Sequence, residues 1–411
     1  MVRPYVIIGT GAAGMAAAER LRLLKPDIPI QMMSIDEYSH SRCMLHKYLG
    51  GERDEKGLSF VAEDFFEKKR IMWGRGQTAK AIDPKERRVI MEQGYQPYEK
   101  LLIATGSVYG IPPIPGFRTA ANVFGFRDLS DAVKMNEAIG ELHAKHVFIV
   151  GSGLVGLDVA CALLERGIRV TIAEMADRVM PLQTDAVSAK AYQDLFEKAG
   201  AQFRLGIGAS GSVVDDANRI TAVELSNGEK ILCDFVVCAA GVRPNTAFLD
   251  GSGLAVERGI VVDEYLQTSD PHIYAAGDVT ALSGIWPNAM DQGRIAAANM
   301  CGQRQKYTDT FCIKNTVNFF GLAMLSVGEV EPKEDSLIFT RECRNAYQKV
   351  IVRDGRVKGV QIQGDISHSG FWQYLIKNQI DISGKLSEKS VFELDYGDFY
   401  GMDELGEYRY V

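Results

Sequence analysis

Gly9-Thr10-Gly11-Ala12-Ala13-Gly14 follows the apolar run Tyr5-Val6-Ile7-Ile8, and Gly151-Ser152-Gly153-Leu154-Val155-Gly156 follows His146-Val147-Phe148-Ile149-Val150. Helix signals come next, Met15 to Arg20 in the first case and Leu157 to Glu165 in the second. In such a turn the first glycine permits the tight strand-to-helix reversal. The second lets a pyrophosphate approach the backbone, and the third allows helix and strand to pack closely. The helix N-terminus offers its positive dipole end to the phosphates. One such hexapeptide is a weak signal, because glycine-rich turns are common. Two, each between an apolar strand and a helix, predict two bound dinucleotides, and electrons usually pass between two dinucleotides held in one chain.

The bulk properties restrict the remaining possibilities. A chain of 411 residues accommodates two or three domains. Its 46% hydrophobic and 24% charged residues form an ordinary globular composition. A net charge of -7 argues against a nucleic-acid or anionic-membrane partner. Met1-Val2-Arg3-Pro4 runs straight into the first strand, which reads as no signal peptide and a cytoplasmic protein. Val147 to Leu164, the most apolar stretch, contains glycines and Asp158 and reads as strand, turn and helix. The seven cysteines (43, 161, 233, 238, 301, 312 and 343) include no CxxC pair, so the adjacent dithiol of a disulfide reductase is missing. Most read as buried small hydrophobes. The six histidines show no ligand spacing, and no metal is expected.

Along the chain, a second strand Ile30-Gln31-Met32-Met33-Ser34 ends at Asp36-Glu37, where a carboxylate commonly accepts ribose hydroxyls. Lys100 to Ser107 reads as a buried strand breaking at Gly106, and Ile111-Pro112-Pro113-Ile114-Pro115-Gly116 as a linker. The second βαβ unit continues through Val170-Thr171-Ile172-Ala173-Glu174 and closes with a strand from Cys233 to Gly241. After a second linker at Arg243-Pro244-Asn245, Ile273-Tyr274-Ala275-Ala276-Gly277-Asp278 reads as a strand ending in a backbone cradle, with a helix from Gly293 to Met300. Alternating runs at 347–352 and 357–362 predict antiparallel strands. The acidic, aromatic tail from Glu393 reads equally as unstructured or as docked on the body.

The ordered set Gly9xGly11xxGly14, Ala104-Thr105-Gly106, Gly151xGly153xxGly156, Gly241-Val242-Arg243-Pro244-Asn245 and Ala276-Gly277-Asp278 resembles the FAD-dependent pyridine nucleotide–disulfide oxidoreductase superfamily over residues 4 to 330. Within it, Tyr38 to Gly51 is similar to NADH:rubredoxin oxidoreductases, the flavin module of nitrite reductases, and apoptosis-inducing factor. Trp286 to Arg294 and Gly355 to Asp365 resemble the rubredoxin reductases in particular. The resemblance implies an α/β fold with two Rossmann-like dinucleotide-binding domains and a small C-terminal α+β domain. The FAD-binding domain would comprise 1–115 and 245–318, with the NAD-binding domain 116–244 inserted in it and 319–411 following.

The same resemblance implies that FAD is contacted by Gly9, Gly11, Ala13, Gly14, Asp36, Arg42, Lys47, Ala79, Ala104, Thr105, Gly106, Arg127, Gly277 and Asp278. For the ribose, Asp36 competes with Glu37 and with the position of Ser34. Lys47 would lie near the reactive edge of the flavin and pair with Asp158, which stands where the family usually has glutamate. A fixed cation there stabilises the anionic reduced ring. Trp286 is left open between a place beside the rings and plain packing. NADH would be held by Gly151, Gly153, Leu154, Val155, Gly156 and Gly241, with Glu174 accepting the 2′-hydroxyl and repelling the 2′-phosphate of NADPH.

Cys43 stands where the rubredoxin reductases carry proline, and at the offset where NADH oxidases, NADH peroxidases and coenzyme A-disulfide reductases carry their redox cysteine. Two readings follow. The first is electron transfer from NADH through FAD to a small carrier such as rubredoxin or to a partner redox subunit. The second is reduction of a small molecule through Cys43. Met44 in place of the glycine that follows that cysteine favours the first. A signalling role like that of apoptosis-inducing factor is disfavoured by the net charge. The oligomeric state is open, a homodimer included.

Overall fold

The apolar runs before the two glycine turns form the central strands of two five-stranded parallel sheets. In the computed structural model the described residues are 2–309, 314–343, 346–402 and 404–410, without the side chains of 408–410; Cys312 and Asp403 lie outside them. One sheet runs Ile273–Ala275, Lys100–Ile103, Tyr5–Ile8, Ile30–Met33, Ile71–Gly74. The other runs Ala201–Leu205, Arg169–Glu174, His146–Val150, Phe235–Cys238, Val123–Phe124. Each strand pairs parallel with its neighbours. Val6, Ile7, Val147 and Phe148 are fully buried, as strands covered on both faces require. In each sheet the chain reverses its direction of travel beside the central strand, so the crevice for a ligand opens at the carboxyl end of that strand.

The helix Ala12–Leu24 is rich in alanine on its buried side, which lets it lie close to its neighbours. A Cβ on Gly293 would sit 2.1 Å from the Ala13 carbonyl oxygen, so this glycine permits the helix Trp286–Met300 to cross there. That helix begins seven residues earlier than the sequence reading placed it, with Pro287 in its first turn, where the missing N–H costs nothing. The two linkers are not loose. Ser107–Tyr109 and Val242–Pro244 pair antiparallel, so the outgoing and returning chains form one ribbon.

By contact the chain divides into two compact units, Met1–Met175 with Gly200–Thr310, and Ala176–Ala199 with Phe311–Val411. Residues 176–199, part of the expected inserted domain, thus group with the C-terminal segment. The cause is local: the helix Ala186–Lys198 buries Tyr192 and Phe196 against Phe319, with ring centroids 5.8 and 5.3 Å apart. Within this second unit a five-stranded antiparallel sheet includes the expected strands as Ala346–Arg353 and Arg356–Gln363. The tail docks. Val391, Leu394 and Phe399 are buried, and the Tyr396 ring lies 5.3 Å from that of Phe371.

At the start of the helix Ala186–Lys198, Asp185 is buried yet charged. It receives the Tyr347 hydroxyl at 2.5 Å and the Ser188 backbone N–H at 2.9 Å, and pairs with Lys349 at 3.3 Å. Burial pushes the Asp185 carboxyl up, but these bonds and the lysine charge outweigh it and hold the group below its ordinary range. A depressed folded-state pKa means that this stabilisation is present above the unfolded pKa and lost as pH falls through the folded one. Lys349→Ala should destabilise this unit by about 3–5 kcal/mol, because it strips a buried carboxylate of its counterion. Urea unfolding at neutral pH measures this, and a change below about 1 kcal/mol would show that the Tyr347 and Ser188 bonds suffice.

The expectation that most cysteines are buried is corrected. Among the described residues only Cys233 and Cys238 are; Cys161 and Cys301 are half-buried, and Cys43 and Cys343 are exposed. A helix face, helix ends and an edge strand put these sulfurs at boundaries that composition does not reveal. No helix among the described residues is long and apolar enough to cross a membrane.

Candidate dinucleotide sites

Each glycine triplet divides its work in the same way. Gly9 has φ 110° and Gly151 φ 99°, a left-handed region that favours glycine, and a Cβ there would meet the carbonyl oxygens of Ala104 and Ala239 at 2.2 and 2.6 Å. A Cβ on Gly14 or Gly156 would lie 2.0 Å from the carbonyl oxygen of its own first glycine. Gly11 and Gly153 differ: nothing lies within 4 Å of a Cβ built on either. Both are helix N-caps without a side-chain cap bond, so the N–H groups of the first turn have no side-chain partner at the cap. Space above the second glycine and an uncapped helix start are what a diphosphate needs.

At the first turn a cavity of about 330 Å³ opens at the carboxyl ends of the sheet, within the size of small-molecule clefts. Gly9, Gly11, Ala13, Asp36, Arg42, Ala79, Ala104, Thr105, Gly106, Arg127, Gly277 and Asp278 line it, as does Cys43. Gly14 lies behind the wall in its packing role, and Lys47 and Asp158 are not part of the lining. Of the three ribose candidates, Ser34 and Asp36 face the cavity and Glu37 does not. Ser34 Oγ accepts the Trp73 indole N–H at 3.1 Å and donates to the Asp36 carbonyl, which leaves Asp36 as the carboxylate of this corner. Trp286 lines the cavity and meets Phe60 edge-on at 4.9 Å.

The charged wall is a network. Arg127 donates to Asp278 at 2.6 Å, and the Ser107 hydroxyl reaches the same carboxylate oxygen at 3.1 Å. Arg42 pairs with Asp36 at 3.7 Å and with Asp128, and donates to the Arg127 carbonyl at 3.0 Å. Asp36, His40 and Asp128 bring ligand atoms within 4.8 Å of one another, but the Arg42 guanidinium already supplies the cation between the two carboxylates. Sequence reading missed Asp128, Ser107 and Gln292, whose buried amide oxygen accepts the Gly277 N–H at 2.8 Å. The capping box of Asp128 with Asp131 was a visible sign for the first. The other two follow only from tertiary contact.

At the second turn Glu174 accepts the Ser152 backbone N–H at 2.9 Å and its hydroxyl at 3.0 Å, which fixes the carboxylate beside the glycine loop. The expected Lys47–Asp158 pair is not formed directly. Lys47 Nζ donates instead to Glu52 Oε1 at 2.6 Å, and it is His46 that faces Asp158, with Nδ1 3.8 Å from Oδ1. Lys47 has a second carboxylate five residues along its own loop, and the shorter reach wins. Burial pushes the Asp158 carboxyl up to about 7, against the pull of Lys47. Cys43 is exposed at the cavity wall, yet desolvation by the protein around it pushes its thiol above the ordinary value, with the Asp158 charge adding to it and Arg127 and Arg42 opposing.

Two parallel sheets with matching glycine turns and a crevice at the switch point of the first define a two-dinucleotide oxidoreductase. Residues 3–293 match the pyridine nucleotide-disulphide oxidoreductase family, and the chain belongs to it. Members of that family use FAD and NAD(H). Residues 314–380 match the rubredoxin NAD+ reductase C-terminal domain. The chain is 32% identical to the nitrite reductase [NAD(P)H] of Bacillus subtilis over 93% of its own length and 48% of that protein's. It thus spans about half of the first relatives it matches. To the NADH-dependent phenylglyoxylate dehydrogenase subunit epsilon of Aromatoleum evansii it is 29% identical over 92% of each chain. A ferredoxin reductase structure from Rhodopseudomonas palustris superposes with a TM-score of 0.85 at 25% identity, covering 95% of this chain and 98% of that one.

Proposed function

We propose that this chain carries electrons from NADH through FAD to a small one-electron carrier protein or a partner redox subunit. The observation that carries the reading is the repeated cradle: two uncapped helix starts, each under a glycine with open space above it. In this reading the first cradle, with Asp36, Arg42, Arg127 and Asp278, holds FAD, and Ala79, Ala104, Thr105, Gly106 and Gly277 shape its walls. The second, with Leu154, Val155, Gly241 and Glu174, holds NADH. The inserted stretch 116–244 would then be the nicotinamide unit between 1–115 and 245–318. FAD, when bound, would supply the chemistry that couples a two-electron hydride donor to one-electron acceptors. The chain's own residues orient the two nucleotides: the uncapped helix starts meet the diphosphates, Asp36 and Glu174 meet the riboses, and the ion pairs of Arg42 and Arg127 hold the first cradle's wall.

Cys43 is a bystander in this reading. A reactive thiol needs a depressed pKa, and here the protein crowding the cavity wall and the Asp158 charge act the other way, although the side chain itself is exposed. Anaerobic reduction of wild type and Cys43→Ser by NADH should proceed at equal rates. Rapid mixing should then show reoxidation by rubredoxin in both proteins, and slow reaction of both with hydrogen peroxide and coenzyme A disulfide. Fast reoxidation by either small oxidant, present only with Cys43, would replace this reading with that of a cysteine-dependent reductase.

A further inference from the structure

We propose that His46 and Asp158 form one proton-holding pair behind Cys43, and that this pair, not Lys47, sets how reduction of the bound flavin depends on pH. The inference rests on the FAD reading above and deepens it. His46 lies on the short helix Leu45–Leu49, packed against the helix Leu154–Glu165 that carries Asp158. The two side chains approach to 3.8 Å, slightly longer than a hydrogen bond. His46 Nδ1 is buried and has no hydrogen-bond partner, a cost that closing the gap to Asp158 would remove. Among the described residues Asp158 is the carboxylate recorded within ion-pair distance of His46. Lys47 is held by Glu52 at 2.6 Å.

Burial favours the neutral form of both groups: it lowers the imidazole, with Lys47 and Arg53 adding and Glu52 opposing, and it raises the carboxyl. A carboxyl and an imidazole so placed share a single proton and titrate as a pair. The turn before the helix brings Arg42 and Cys43, and the loop after it Glu52 and Arg53. The helix Leu154–Glu165 brings Cys161 and Glu165, whose influence falls on Lys47 and on each other. From the helix Leu129–Glu141, Glu137 acts on Tyr48, while Asp131 acts on Arg42. None of these competes with Asp158 for His46 Nδ1.

The pair touches the cavity through Cys43. That residue lines the wall, stands three residues before His46, and its thiol is raised by the Asp158 charge. Negative charge arriving in the cavity on reduction must therefore raise the proton affinity of the pair, which takes one proton from solvent. The two-electron reduction then consumes two protons within the window where the pair titrates, one on the ring and one on the pair, and a single proton outside it.

Spectroelectrochemical titration of the flavin-loaded protein from pH 5.5 to 8.5 tests this. Each proton consumed makes the reduction constant tenfold smaller per pH unit, about 30 mV for two electrons. Wild type should show about 60 mV per pH unit across a window near neutrality and about 30 mV outside it. Asp158→Asn should give about 30 mV throughout, His46→Gln should displace the steep window, and Lys47→Met should keep the steep window but move it to higher pH, because Lys47 lowers both groups. A single slope in wild type, an unchanged window in both Asp158→Asn and His46→Gln, or its loss in Lys47→Met alone overturns the inference while leaving the FAD reading intact. A protein that takes up no FAD overturns both.

Discussion

Gly11→Val should fold normally and lose its flavin. Nothing lies within 4 Å of a Cβ at this position, and its φ of -77° and ψ of -169° suit a β-branched residue, so stability should change by less than about 1 kcal/mol. The new methyls would instead fill the space through which a diphosphate reaches the uncapped helix start. Losing one or two charge-assisted hydrogen bonds, each worth about 1.5–3 kcal/mol, weakens FAD binding by roughly a hundredfold. Gly14→Val is the contrast. Its Cβ would press on the Gly9 carbonyl at 2.0 Å, so the turn itself must shift, and both the melting temperature and the flavin should fall. Thermal unfolding and flavin absorbance of the purified proteins separate the two effects. Full flavin occupancy in Gly11→Val would remove the first cradle from the diphosphate site.

The different fates of neighbouring predictions show where sequence is informative. The glycine turns were legible because their roles depend on backbone atoms within a few residues, and both repeats place the same carbonyls against the same positions. The order of the sheets was legible too, since long apolar runs spaced by helices leave few arrangements. Lys47 and Asp158 illustrate the opposite case. Their expected pairing depends on which of two carboxylates a flexible side chain reaches first, and Glu52 lies nearer. His46 then inherits Asp158 through helix packing that no spacing rule encodes. Asp128 was visible only as a helix cap, yet it helps to hold Arg42 at the cavity wall. Likewise, residues 176–199 carry an ordinary amphipathic helix, and only Tyr347 and Lys349 reaching Asp185 reveal which body it joins.

Glu174→Ala should remove most of the preference for NADH over NADPH. The carboxylate stands at the end of its strand, held beside the second glycine turn by two bonds from Ser152, so it needs no reorganisation to accept a 2′-hydroxyl. That hydrogen bond to a charged acceptor is worth about 1.5–3 kcal/mol. A 2′-phosphate in the same place would lose it and meet like charge, costing about 1 kcal/mol per unit charge at 4 Å even when water-screened. Together these amount to roughly 3 kcal/mol, or about a hundredfold in discrimination. The alanine variant forfeits both terms, so the ratio of kcat/KM for NADH to that for NADPH should fall by tenfold to about a hundredfold, mainly through weaker NADH binding. Ser152→Ala should produce a smaller change in the same direction, because it removes one of the two bonds that hold the carboxylate and keeps the backbone N–H bond. If the ratio is unchanged in Glu174→Ala, the second cradle holds its nucleotide without this carboxylate and the assignment of the ribose acid fails. If it shifts in Ser152→Ala alone, the hydroxyl rather than the carboxylate makes the discriminating contact.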